Sequence, residues 1–369
     1  MLLSNPFSPD PRVYREAKVL VNEGYRVTVL CWDRTSRHPP RQRCEGIDIV
    51  RISLRGYYGK GLSAAPHFLN FYRAVYAYLA RTPFDILHCH DLDTLPIGFL
   101  IARLKKRKIV FDAHEPQYYI YLPQWVRRLS VEALEKSLSR RVDRAIVTNR
   151  PQLLKFQALK SKEPTIVANY PDASWWREMP SRRISPTPTI GWIGGMRPES
   201  GIEELLEVFS LLLQRGWDVR LLLVGGIIGT IRHILDDARK QYGNRILVRE
   251  PVPYHEVPRL YRNIDITLML YRPNQNYRMH TAAKLFECMA SGVPVLVADV
   301  GETSEIVRRT RCGIVLKSYD IEEIADVVER VFNDRALYGR MSEHGRRAFG
   351  DEYNWGKDAQ KLLDVYNSL

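Results

Sequence analysis

Short apolar runs alternate along the chain with longer stretches in which apolar residues return every three or four positions, a strand-and-helix alternation that predicts an α/β fold. In the first half the runs are Arg26–Cys31, Ile47–Ile52, Asp85–Cys89, Lys108–Asp112, Arg144–Thr148 and Thr165–Asn169. Between them, Arg12–Asn22 brings Val13, Ala17 and Leu20 to one side, and Ala64–Arg81 is lined by Phe68, Phe71, Tyr72, Val75, Tyr76 and Leu79, so each reads as a helix with one face inward. Leu95–Leu104 is a further helix. Gln124–Arg141 is another, with Trp125, Leu129, Leu134 and Leu138 opposite Arg127, Arg128, Lys136, Arg140 and Arg141. Met1–Ser4 is a short apolar start whose strand looks clipped, as in a chain that begins late.

Pro171, Pro180, Pro186 and Pro188 then crowd together, which marks a linker and puts a domain boundary near Ser181. Beyond it the alternation restarts. Thr189–Ile193, Val219–Val224, Ile246–Val248 and Ile264–Tyr271 read as strands, Ile202–Gln214 and His255–Tyr261 as helices, and further helices begin at Ile321, Arg335 and Trp355. Two loops carry glycine pairs, Gly194-Gly195 and Gly225-Gly226. Glycines there let backbone approach a diphosphate, and the helix that follows the first pair offers its N-terminus to an anion.

The densest group of agreeing signals is His280–Ala298. Thr281 can cap a helix whose Leu285, Phe286 and Met289 face inward while Lys284 and Glu287, three apart, share another face. Gly292 stops that helix, and Pro294 opens the apolar strand Val295–Ala298. The anion expected at the exposed helix start is a nucleotide diphosphate. In the first half, strand ends bearing His90-Asp91 and His114-Glu115 stand where open α/β sheets put their ligands.

Composition narrows the class. At 369 residues and 45% hydrophobic, the chain is long enough for two cores. Its apolar runs fall short of the roughly 18 residues that cross a bilayer. With no leader ahead of them, a cytoplasmic protein is expected, peripheral at most to the inner face of a membrane. Five cysteines without a CxxC spacing fit reduced thiols and no metal. The net charge of +13 is one-sided: residues 1–185 hold 31 Lys and Arg against 17 Asp and Glu, and the rest hold 24 against 25. A basic half suits an anionic membrane or a phosphorylated acceptor; scattered over helices and without a known motif, it does not suit nucleic acid.

The run Lys284-Leu-Phe-Glu287-Cys-Met-Ala-Ser-Gly292-Val-Pro294-Val resembles the donor-site signature of the GT-B glycosyltransferases of family 4, and Asp85–Asp91 with Phe111–Glu115 resembles their acceptor-domain half. The resemblance implies two facing Rossmann-like domains, parallel sheets with helices on both faces, and a site in the cleft. It assigns 1–180 to an acceptor, 181–350 to a nucleotide-sugar, and has 351–369 packing back on the first domain. It implies that Glu287 holds the ribose, and that the helix start at Thr281, Ala282, Ala283 and Leu285 holds the diphosphate with Gly194 and Gly195. Arg197 and Lys284 would act on the departing diphosphate, Val252 would border the base, and His114 would lie beside the donor sugar. Arg12, Asp91 and Glu115 would meet a lipid-linked or saccharide acceptor. It further implies transfer with retention and no metal or other cofactor.

Two departures stand out. The lysine usual after Arg197 is replaced by Ser200-Gly201, for which Lys284, Arg272 or Arg278 could substitute, and the glutamate usual eight positions before Glu287 is Met279. These departures keep two alternatives open, a nucleotide-sugar 2-epimerase of the same fold and a nucleotide-sugar-binding subunit without turnover.

Overall fold

The computed structural model describes residues 1–8, 10–56, 65–114 and 127–369. The Tyr57–Gly61 loop, Glu115 and Trp125 lie outside the described residues. The chain divides into two units, Met1–Ala168 with Asp358–Leu369, and Asn169–Lys357.

The first unit holds an eight-stranded sheet, β1 (Leu2–Leu3), β2 (Thr28–Asp33), β3 (Arg41–Cys44), β4 (Ile47–Ser53), β5 (Ile86–His90), β6 (Lys108–Ala113), β7 (Arg144–Val147) and β8 (Pro164–Ile166), in the order β3-β4-β2-β1-β5-β6-β7-β8. All pairings are parallel except β3 with β4. β3 escaped the hydrophobic pattern because it is polar and exposed, an edge strand that needs no buried face. The first helix, Pro11–Asn22, starts where expected: Asp10 accepts the Val13 amide at 3.1 Å and Pro11, which has no N–H to lose, takes the first turn. Trp32 stacks on Phe71 at 4.7 Å in the core. The Gln124–Arg141 helix is, where described, a wide turn at Arg127–Glu132 followed by Ala133–Ser139.

The second unit is a six-stranded parallel sheet of β9 (Thr189–Ile193), β10 (Arg220–Val224), β11 (Ile246–Arg249), β12 (Ile266–Met269), β13 (Val295–Val297) and β14 (Gly313–Val315). Its order, β11-β10-β9-β12-β13-β14, is the doubly wound arrangement of dinucleotide-binding sheets. The Gly301–Thr310 helix and β14 were not foreseen; the strand is too short to leave a pattern.

The boundary at Ala168 corrects the one placed near Ser181. The Pro-rich stretch is not a free linker, because Arg182 within it donates to the carbonyls of Ser291 at 3.0 Å, Arg262 at 3.1 Å and Ile264 at 3.2 Å, which fastens it to the second unit. The last helix, Trp355–Asn367, enters the first unit at Asp358, whose fully buried carboxylate accepts the Ala168 amide. Among the described residues, no helix is long and apolar enough to cross a membrane.

Candidate functional site

In the second unit the strand order reverses between β9 and β12, so a ligand crevice is expected beyond their C-terminal ends. Gly194 follows β9 with φ of 128°, and its amide bonds the Val224 carbonyl at 2.8 Å. Gly225 lies so close that a Cβ there would stand 2.1 Å from the Gly194 carbonyl oxygen, which is why the second glycine pair is needed to seat the first.

Lys284 reaches this loop from the Ala283–Ser291 helix. A methyl built on Gly194 would lie 3.4 Å from Lys284 Cε and 3.5 Å from Nζ, so the ammonium abuts the glycine turn. Nζ sits 4.1 Å over the Trp192 ring and donates to the Tyr271 hydroxyl at 2.6 Å, and Tyr271 stacks on Tyr277 at 4.4 Å. Burial pulls the lysine's pKa below its ordinary value, and the Glu287 carboxylate one turn along offsets part of that. Glu287 is itself buried and accepts the Tyr261 hydroxyl at 3.1 Å. The aromatic cage of Trp192, Tyr271 and Tyr277 was not legible in the sequence, since its members come from separate elements.

Arg197 is half-buried beyond the glycine pair, its amide bonded to the Ser200 hydroxyl at 3.2 Å. Of the substitutes considered for the missing lysine, Arg272 is spent on Glu204 at 2.7 Å, and Lys284 is the one that meets the glycine loop. At Gly201 the departure has a local reason: φ is 75°, and a Cβ there would be 2.2 Å from the Leu270 carbonyl oxygen, so no side chain fits at that one position. Gly201→Lys is therefore expected to destabilise the protein by about 1–3 kcal/mol, read by urea denaturation, without restoring a phosphate contact.

Two expectations at the helix start are corrected. Thr281 is not the cap: the N-cap position is Ala282, and the Thr281 hydroxyl bonds Glu302 while the Ala282 amide donates to Thr303 at 3.1 Å. Leu285 is wholly buried in the core, so its side chain faces no ligand. Ala283 and Gly195 are exposed, and Val252 is half-buried against the core.

In the first unit a buried polar cluster stands where β5 and β6 end. Asp112 takes two hydrogen bonds from Arg12, at 2.9 and 2.8 Å, and faces His90 Nδ1 at 3.1 Å. Arg12 also donates to the Val167 carbonyl at 2.9 Å and pairs with Glu16 at 3.1 Å. With only 5% of its surface exposed, it does not meet an acceptor as expected; it is a tie between elements. Burial alone would raise Asp112, yet Arg12 holds it well below the usual carboxylate range. Asp91 adopts a left-handed backbone, φ 63°, and turns its carboxylate to His114, accepting the His114 amide at 3.1 Å with its second oxygen 3.6 Å from Nε2.

Glu16, His88, His90 and Asp112 each bring a ligand-type atom within 4.8 Å of the others. The positive charge those carboxylates require is supplied by Arg12, which a metal would have to displace. A cavity of about 550 Å³ opens at the opposite, N-terminal ends of the central strands, among Leu20, Tyr25, Tyr78, Phe84 and Tyr366, away from the strand ends that bear chemistry.

Burial lowers His114 and His280 to about 4, and His88 well below the ordinary 6.5. The folded protein thus keeps these rings neutral where the unfolded chain takes up protons, so stability is expected to be full above pH 6.5 and to fall as pH drops towards 4. Glu16, Asp93 and Asp358, all raised mainly by burial, act in the opposite sense and soften the fall, while Asp112, held low by Arg12, adds to it. Urea midpoints measured across that window check this; a flat profile would contradict it.

Comparisons with known proteins bear on both units. Residues 177–348 match the family model of glycosyl transferases group 1, and residues 9–170 match that of the glycosyl transferase 4-like domain. An uncharacterized glycosyltransferase of Methanocaldococcus jannaschii is 21% identical over 95% of this chain and 91% of its own. The D-inositol 3-phosphate glycosyltransferase of Nocardia farcinica is 24% identical over 96% and 83%. Among solved structures, sucrose-phosphate synthase from Thermosynechococcus elongatus superposes with a TM-score of 0.77 at 17% identity, covering 99% of this chain and 97% of that one. Anabaena HepE in complex with UDP-glucose gives 0.72 at 14% identity, covering 100% and 99%.

Proposed function

The chain belongs to the group 1 glycosyltransferases of the GT-B fold, and on that premise we propose that it moves a sugar from a nucleotide diphosphate to a saccharide or lipid-linked acceptor with retention at the anomeric carbon. The observation that carries this reading is the caged Lys284 ammonium set against the Gly194 turn at the strand-order reversal of a dinucleotide-type sheet. A lysine held there by aromatic faces is placed in advance for a diphosphate, and costs no rearrangement when charge develops on it.

In the proposed step the bond from the anomeric carbon to the diphosphate oxygen breaks, and the acceptor oxygen bonds to that carbon on the same face. The acceptor's proton passes to the departing phosphate. Lys284 and Arg197, with the Gly194 and Gly195 amides, stabilise the leaving charge; Glu287 binds the ribose and His114 supports the donor sugar. No metal or cofactor is assigned a part. HepE was solved with UDP-glucose, which supports a nucleotide-sugar as donor.

A thermal-shift panel of UDP-, GDP- and dTDP-sugars tests the donor. A bound donor at a hundredfold excess over its Kd adds about 2.7 kcal/mol of stability and raises the melting temperature; a panel without any shift rejects the reading. Product analysis by NMR separates transfer from epimerisation, which needs no acceptor.

A lipid-linked acceptor, in surface polysaccharide or glycolipid assembly, is supported by the basic first half of the chain. There Leu100 and Leu104 are exposed, Leu104 to 63%, beside exposed Arg103, Lys106, Arg107 and Lys108. Flotation is expected to show partition onto phosphatidylglycerol vesicles over phosphatidylcholine ones. Equal partition would count against a membrane surface.

A further inference from the structure

The cavity of about 550 Å³ in the first unit has the outline of a strand. Two of its sides are consecutive backbone, residues 25–28 leading into β2 and residues 83–88 leading into and along β5. In the sheet these two strands are separated by β1, which is two residues long, and Met1 stands at the inner end of the cavity on the same line. The space therefore runs in the direction β1 already takes.

The hydrogen bonds of the parallel ladder reach that end without a break. The Met1 carbonyl accepts the Leu30 amide at 2.9 Å, and the Met1 amino group donates to the Thr28 carbonyl at 2.8 Å, the bond a peptide amide would make there. Register fixes what comes next. Leu2 faces Leu30 on one side and Cys89 on the other, so three positions ahead of Met1 would face Thr28 and Leu87, then Val27 and Ile86, then Arg26 and Asp85, all of which line the cavity. Thr28 and Ile86 are half-buried, although they belong to central strands whose next residues are closed off. Arg26 and Asp85 are exposed, so the line ends in solvent there.

Both faces of this line are walled. Tyr78, Leu79 and Phe84 pack with the core that holds Leu2 and Leu87. On the other face Tyr366 meets His88 Nδ1 at 2.8 Å and stands edge-on to Tyr25 at 5.4 Å, since His88 points away from the Leu87 side by strand alternation. A strand of a parallel sheet covered on both faces is apolar on both. Burial also pulls the Met1 amino group down to about 6, so its charge is disfavoured at this point, where a peptide amide would donate the same bond without one.

We propose that this cavity is a strand lane, which accepts three extended apolar residues continuous with Met1 and completes the centre of the sheet in the register of β1. The assignment is independent of the transferase reading, because the lane lies at the strand ends opposite those that bear chemistry.

The test is a length series on the full chain, with one, two, three or five valine and isoleucine residues placed ahead of Met1 and exposed by cleavage of a tag. The melting temperature is expected to rise with each of the first three, by about 5–10 °C in all, and then to level off. A proline at the middle of the three keeps the apolar bulk but has no N–H for the ladder, so it should lose most of the gain. Gly-Ser-Gly should give none. A flat or falling series overturns the lane, and so does an equal gain from the proline version, which would show an apolar pocket without strand pairing. If the three-residue version does not fold, the one-residue version decides: its single residue faces Thr28 and Leu87, and a melt no higher than that of the unextended chain overturns the lane. Nucleotide-sugar binding is measured separately, so either reading can fail alone.

Discussion

Lys284→Met is expected to lower kcat/KM by about a hundredfold to a thousandfold, the size of effect seen when one preorganised donor to a developing anion is lost. Of the cations considered for the missing lysine, it is the one set against the Gly194 turn. Arg272 is tied to Glu204 and Glu203, and Gly201 leaves no room for a side chain. Methionine fills the apolar stem's place between Trp192 and Tyr271, and it removes a charge that burial disfavours. The variant is therefore expected to fold as stably as wild type or more so, which separates lost chemistry from lost structure. Steady-state kinetics with thermal melts decide the matter: a variant that is fully active, or one inactive because it is unfolded, would remove Lys284 from the mechanism. Lys284→Arg is expected to restore little, since the planar guanidinium is too wide for a cage closed by a 2.6 Å hydrogen bond to Tyr271.

The second large effect is on stability. Arg12→Met strips the guanidinium from Asp112 and Glu16, both fully buried, and leaves two enclosed carboxylates facing His90 and His88. Breaking a buried ion pair from one side costs about 3–5 kcal/mol. For a protein of this size, at about 2–4 °C per kcal/mol, the melting temperature of the first unit should fall by about 10 °C. The Arg12–Val167 hydrogen bond goes too, loosening the end of the chain's first half. Had Arg12 been an acceptor contact, the same substitution would leave the melt unchanged and raise only the acceptor KM. Calorimetry on the full chain distinguishes the two.

These results show how unevenly the site could be read ahead of the structure. The Lys284–Val295 stretch was legible because helix, stop and strand are local: an apolar stripe, a glycine with φ of 68° at position 292, and a buried run, all within one short segment. Its cap was misjudged for a reason outside that segment. Thr281 spends its hydroxyl on Glu302, which the Gly301–Thr310 helix carries in from twenty-one positions away. Arg12 was misread in the same manner. A charged residue in the first turn of a helix looks like surface until Asp112, a hundred positions on, is seen to grip it.

From sequence alone came the alternation of strands and helices, the family signature, the glycine turn and the one-sided charge, because each depends on neighbours within a few turns of chain. The tertiary structure decided which charges are spent inside and which stand ready for a ligand. It put Trp192 and Tyr271 around Lys284 and set Arg12 between Asp112 and Glu16. The reason is that a side chain's charge is assigned by what folding brings against it, and parallel sheets bring together residues that the sequence keeps far apart.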